Sequence, residues 1–216
     1  MIYENTVSGI FIDRPNRFIA HVKIGGATET VHVKNTGRCR ELLIPGAKVI
    51  LQHFEGCNRK TEYDLINVYK ENFGWVNIDS QAPNKVVLEW LENQGFDIIK
   101  PEYTYGSSRI DFYLEKAGEK WLVEVKGCTL EIDGVGYFPD AKSERARKHA
   151  LELKSALEEG YRCAIAFVIA MENVEEVRPN FERDREFSEA LLEAESAGVE
   201  IWLLPCKVNE NELFVR

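Results

Sequence analysis

Arg109-Ile110-Asp111-Phe112-Tyr113-Leu114 and Trp121-Leu122-Val123-Glu124-Val125-Lys126 read as two strands, with Ala117-Gly118 between them suited to a tight hairpin. A turn centred there sets Asp111 opposite Glu124 and Arg109 opposite Lys126. Phe112 then meets Val123 and Leu114 meets Trp121 on the other face, which is apolar and must point to a core. Opposed like charges destabilise a strand pair. Two carboxylates and a lysine on one patch therefore need a reason. A hard divalent cation such as Mg²⁺, which favours carboxylate and phosphate oxygens, supplies one. The alternative is a solvated face on which Arg109 and Lys126 neutralise the two acids diagonally.

Around this hairpin the chain alternates helix and strand. Pro83-Asn84 starts a helix running to Gln94, with Gly95 past its end. Residues 143–159 form a helix with Ala146, Ala150, Leu153 and Leu157 on one face, stopped by Gly160. Residues 161–169 are a buried strand, 183–197 an acidic helix ended by Gly198, and 199–204 another strand. Such alternation implies an α/β domain over residues 81–216 with partly parallel pairing. Residues 1–80 differ. Short β-branched and aromatic runs at 10–12, 18–24, 30–33, 48–51, 63–69 and 75–78 are separated by turns such as Gly25-Gly26 and Pro45-Gly46. They predict a small β-barrel, OB-like or SH3-like, packed against the second part.

The 216 residues carry 27 Lys+Arg and 36 Asp+Glu, a formal charge of −9. That bulk acidity argues against a nucleic-acid partner until it is located. Residues 1–80 hold 10 basic and 9 acidic side chains, whereas residues 172–195 alone hold 9 acids and 3 bases. The acidity is thus local, and the rest of the surface is free to be basic. Five cysteines, none in a C-x-x-C pair, suggest neither a disulfide framework nor a zinc site. No apolar run reaches the ~18 residues of a membrane span, and no signal-peptide pattern follows Met1. The expectation is a cytoplasmic protein without a membrane role.

Asp111 followed by Glu124-Val125-Lys126 resembles the D…(E)xK signature of the PD-(D/E)xK nuclease superfamily. Asn35-Thr36-Gly37-Arg38, Glu41-Leu42-Leu43, Arg59-Lys60-Thr61, Phe138-Pro139-Asp140-Ala141, Arg145 and Lys148-His149 resemble the sugar fermentation stimulation protein A (SfsA) family over nearly the whole chain. Cys39 and Ala146 depart from that family's usual hydrophobe and glycine. The resemblance implies an OB-like N-terminal barrel, a mixed-sheet restriction-endonuclease-like C-terminal domain, and DNA binding with little sequence preference. It further implies Mg²⁺, or Mn²⁺, held by Asp111, Glu124 and the Val125 carbonyl, with Glu89 as an extra acidic ligand. Asp111, Glu124 and Lys126 would form a phosphodiester-cleaving centre, Lys126 orienting the attacking hydroxide. The alternatives are a non-catalytic, regulatory DNA-binding protein with a nuclease-like fold, and a small-molecule or protein-binding module.

DNA contacts are expected from Arg145, Lys148 and His149, which share a helix face near its N-terminus. Lys34, Arg38, Arg40, Arg59 and Lys60 supply half of the first part's basic side chains. Arg147 and Lys142 read as an ordinary solvated face, and Asp140 as a cap. His149 could instead pack beside Ala146 and Ala150. Tyr63, Tyr69 and Trp75 are core aromatics or stacking platforms. His21, His32 and His53 fit no ligand spacing.

Overall fold

The computed structural model describes all residues except Thr36, Cys57, Asn58 and Asn72. Thr36 of the Asn35–Arg38 motif and one of the five cysteines therefore lie outside the described residues. The other four, Cys39, Cys128, Cys163 and Cys206, are buried free thiols.

The first six strands are β1 (Thr6–Asn16), β2 (Ile19–Ile24), β3 (Ala27–Val33), β4 (Lys48–His53), β5 (Tyr63–Lys70) and β6 (Gly74–Asn77). β1 lies centrally, antiparallel to both β2 and β4. A parallel pairing of β3 with β5, His32 to Asp64 and Val33 to Leu65, closes five strands into a barrel. That closure decides the OB-like reading over the SH3-like one. The β2–β3 hairpin turns at Gly25-Gly26, both with positive φ, as a tight right-twisted hairpin requires. Phe11, Val22, Val31, Val49, Leu51 and Leu65 point inward and fill the barrel.

After α1 (Ala82–Leu91) come β7 (Ile98–Tyr105), β8 (Ser108–Lys116), β9 (Glu119–Cys128), β10 (Leu130–Ile132) and β11 (Val135–Phe138). Then follow α2 (Glu144–Glu158), β12 (Arg162–Ile169), β13 (Val177–Pro179), α3 (Arg185–Ala197), β14 (Glu200–Val208) and β15 (Leu213–Val215). The large sheet runs β15-β14-β12-β9-β8-β7, and β9, β12 and β14 are parallel. α1 covers one face over Phe112, Leu114 and Val123. α2 and α3 cover the other over Leu122, Ile165 and Phe167. No helix among the described residues is long and apolar enough to cross a membrane.

Several elements depart from the sequence expectation. α1 stops at Leu91, and the chain turns before reaching Gly95. β7 was not legible because Pro101 interrupts it. It is an edge strand, where a residue without an N–H is tolerated. The acidic stretch stays at the surface, but part of its charge is paired. Glu186 of α3 pairs with Arg147 at 3.0 Å and Lys142 at 3.5 Å, and Glu193 pairs with Lys154 at 2.6 Å. Two of the four acids of α3 are thus paired with bases in or just before α2.

Barrel and sheet share one interior. Cys128, Ile169, Met171 and Val174 complete the barrel core from the second part. Asn77 donates to the Tyr3 hydroxyl and to Asn67, and Asn67 donates to the carbonyls of Asn209 and Glu210. Tyr3 and Lys34 both donate to buried Asp79. Each buried polar group in this seam is partnered, which is what makes it tolerable there.

Gly37 ties the two parts more closely still. A Cβ at Gly37 would lie 2.2 Å from Asp140 Oδ2. The expected outcome of Gly37→Ala is a loss of about 1–3 kcal/mol. Thermal melts of Gly37→Ala, Asp140→Ala and the double variant check it. Removing the Asp140 carboxylate should recover part of the loss, since Asn35 Oδ1 also lies 2.9 Å from that Cβ, and strict additivity would show that the Asp140 contact is not its source.

Candidate metal centre and nucleic-acid surface

The hairpin register expected from the sequence holds from Lys116–Glu119 to Phe112–Val123 and then stops. Asp111 and Glu124 are not a ladder pair. Asp111 Oδ2 instead accepts the Val125 amide at 2.7 Å. The strand changes its facing here, since Ile110 joins the core under α2 while Phe112 joins the core under α1. On the β7 side Glu102 takes a positive φ and the pairing skips it and Asp111. Arg109 therefore does not meet Lys126. It lies opposite Thr104 of β7, exposed, 3.6 Å from Glu102.

Each carboxylate is anchored by a different helix. Asp111 Oδ1 accepts from Asn84 Nδ2, in the first turn of α1, at 2.8 Å. α1 can approach β9 because residue 127 is glycine. A Cβ there would sit 2.9 Å from the Pro83 ring. Glu124, 3% exposed, accepts on Oε1 from Lys126 Nζ at 2.6 Å and from His149 Nδ1 of α2 at 2.5 Å. Its Oε2 is buried and has no partner. The sequence did not point to Asn84, although Pro83-Asn84 at a helix start and the glycine after Lys126 were both visible.

Burial, then the charge of Glu124, raises the Asp111 pKa against the opposing bonds from Val125 and Asn84. Burial works to raise Glu124 too, but its bonds from His149 and Lys126 prevail and hold it below the ordinary value. An unpartnered buried carboxylate oxygen beside an electrostatically strained second carboxylate fits an oxygen-ligated divalent cation. Among the described residues no group of three His, Cys, Asp or Glu side chains is arranged to hold a metal. Glu89, the further acid expected here, is engaged elsewhere. It pairs with the N-terminal amine of Met1 at 2.6 Å, and five residues beyond Asn84 it falls on another side of α1. The Val125 side chain packs under α1, and its amide faces Asp111.

The expected DNA-contacting residues divide into two kinds. Arg145 and Lys148 are exposed and line a hollow of about 430 Å³ with Ser107, Ser108 and Arg109 beside the centre. His149 also lines that hollow, but it is only 3% exposed and its Nδ1 is turned to Glu124. Arg38 and Arg40 are exposed on a groove of the barrel that also holds Arg14 and Arg17. Arg14 donates to the carbonyls of Arg17, Asn35, Gly37 and Arg38 and so shapes that groove. Lys60 is exposed. Arg59 pairs with buried Asp64 and lies over the Phe54 ring, and Lys34 is half-buried and paired with both Asp64 and Asp79. Lys34 is thus structural, because a phosphate would have to break two ion pairs to reach it. Tyr63 stacks on His53, and Tyr69 meets Trp75 edge-on with Lys48 over it.

A family model described as the sugar fermentation stimulation protein RE domain matches residues 81–212, and one described as the SfsA N-terminal OB domain matches residues 12–78. The sugar fermentation stimulation protein homolog of Desulfitobacterium hafniense (strain Y51) is 50% identical over 216 residues, covering 99% of this chain and 94% of its own. That of Ruminiclostridium cellulolyticum is 50% identical over 215 residues, covering 98% and 95%. A solved structure of Pyrococcus furiosus SfsA in complex with Ca²⁺ is 30% identical with a TM-score of 0.87, covering 100% of this chain and 95% of that one.

The two carboxylates should respond oppositely to neutralisation. A carboxyl whose folded pKa is raised contributes stability at low pH that is lost as pH rises through that folded value. Glu124, with its pKa lowered, contributes stability above its unfolded value that is lost as pH falls. With chelator present at neutral pH, Asp111→Asn should raise the melting temperature and Glu124→Gln should lower it. Each kcal/mol moves it about 2–4 °C. Both differences should shrink as pH falls below the carboxyl range. Melts of the three proteins across pH check this, and equal signs would contradict it.

Proposed function

The chain belongs to the sugar fermentation stimulation protein family, and from that premise we propose that it binds DNA and hydrolyses a phosphodiester at a cation held by Asp111 and Glu124. The observation that carries the reading is the Glu124 carboxylate, fixed through Oε1 by Lys126 and His149, left with Oε2 unpartnered, and close enough for its charge to act on Asp111. A bound divalent ion would polarise the scissile phosphate and lower the pKa of a water. Mg²⁺ is the proposed working ion and Mn²⁺ its substitute. The Ca²⁺ complex of the Pyrococcus relative supports divalent binding, since these ions share oxygen ligands.

The chain's own groups do the rest. Asp111 and Glu124 hold the ion, with the Val125 carbonyl as a further candidate oxygen. Lys126 keeps its ammonium at the carboxylate. It orients the attacking water and offsets charge that develops on the phosphate. Arg145, Lys148 and Arg109 bind phosphates flanking the cleaved bond, and Arg38, Arg40 and Lys60 bind others along the barrel. Such contacts position the duplex or strand without reading bases, so little sequence preference is expected. Affinity should fall steeply with salt.

A second reading keeps the DNA binding and drops the cleavage. The two-carboxylate centre, without a third acidic ligand among the described residues, is what favours it. Purified protein with Mg²⁺ or Mn²⁺ should nick single-stranded, double-stranded or branched DNA, followed on gels. Asp111→Ala, Glu124→Ala and Lys126→Ala should each abolish nicking and retain binding. Binding without any cleavage under those conditions would establish the second reading. Replacing both Arg38 and Arg40 by Ala should lower the slope of log affinity against log salt by about 1 for each lost phosphate contact.

A further inference from the structure

His149 is buried among Ala146, Ala150 and Leu153 of α2, where an apolar residue would pack without desolvation cost. Its Nδ1 lies 2.5 Å from Glu124 Oε1. An ionised carboxylate only accepts hydrogen bonds, so Nδ1 is the donor. Lys126 donates to the same oxygen at 2.6 Å. Two donors on Oε1 fix the carboxylate's rotation and leave Oε2 as its free oxygen.

The frame behind His149 is itself tied down. Ser143 caps α2 by accepting from the Ala146 amide at 3.2 Å. The Ser143 amide donates to Asp184 Oδ2 at 2.8 Å, and Asp184 Oδ1 caps α3 by accepting from the Phe187 amide. The start of α2 is therefore locked to the start of α3, one turn and a half before His149. On the opposite layer Asn84 does for Asp111 what His149 does for Glu124.

We infer that His149 is the positioning residue of the cation site, clamping the Glu124 carboxylate from the α2 layer so that Oε2 is presented to the ion. The inference rests on the cation reading given under Proposed function. It assigns no contact between His149 and either ion or DNA. Partners that orient a ligand in this way typically change metal affinity about 10–100-fold when lost.

The test is Mn²⁺ and Ca²⁺ affinity, by calorimetry and by metal-induced stabilisation, with no DNA present. The variants are His149→Asn, His149→Gln and His149→Leu, each compared with wild type after metal-free melting and circular dichroism establish the fold. An Asn amide can place a donor where Nδ1 stands, whereas a Gln amide places it further out. His149→Asn should bind close to the wild-type affinity. His149→Gln and His149→Leu should bind about 10–100-fold more weakly. Wild-type affinity in a folded His149→Leu would overturn the inference, as would equal loss in the Asn and Gln variants. If His149→Leu does not fold, the Asn–Gln comparison alone decides. A wild-type protein that binds neither ion would instead overturn the cation reading itself.

Discussion

The amide of Val125 donates to the side chain of Asp111 at the point where the β8–β9 ladder ends. Much of the centre depends on that exchange. A continued ladder would bring Asp111 and Glu124 face to face, as two like charges on a strand pair. By parting there, the strands leave each carboxylate to a different layer. Asp111 is taken by Asn84 of α1, and Glu124 by His149 of α2 together with Lys126. The charge conflict is eased but not removed, and Asp111 still carries it as a raised pKa. A carboxylate held under such strain costs the fold stability when ionised.

The seam between barrel and sheet holds the rest of the surface in place. Lys34, Tyr3, Asn67 and Asn77 spend their polar groups inside it, and the Arg14 guanidinium organises four carbonyls at its edge. Gly37 lets Asp140 close against the barrel loop just before α2 begins. The basic groove of the barrel and the hollow at the start of α2 are thus fixed with respect to each other. Charge is sorted in the same way. Glu186 and Glu193 of α3 pair with Lys142, Arg147 and Lys154, while Arg145 and Lys148 stay exposed. A net charge of −9 is therefore compatible with a basic working face.

Most of the regular structure was legible because it rests on local chemistry. Alternating runs gave the barrel strands, and Gly160 and Gly198 marked the ends of α2 and α3. Asp111, Glu124 and Lys126 stood out because charges at fixed spacing on an otherwise apolar hairpin demand an explanation. What stayed hidden had no local signal. Pro101 masked β7, and three-residue strands such as β10, β13 and β15 carry too little pattern to be read. The partner of Glu89, the N-terminal amine, stayed hidden because a helix in sequence does not say which neighbour its sides meet. His149 lay between a basic face and an alanine face, and sequence spacing served both readings.

The sequence by itself determined the two-part organisation, the hairpin and its register as far as Phe112–Val123, and the residue types able to hold a cation. These follow from periodicity, turn residues and side-chain chemistry, which are properties of neighbours along the chain. Only the tertiary structure decided that the strands part at Asp111, that Asn84 and His149 reach the two carboxylates, and that Lys34 is held in two ion pairs while Arg38 and Arg40 are exposed. Those outcomes depend on which layer covers each face of the sheet. Such packing is settled between segments far apart in sequence, where no local pattern records it.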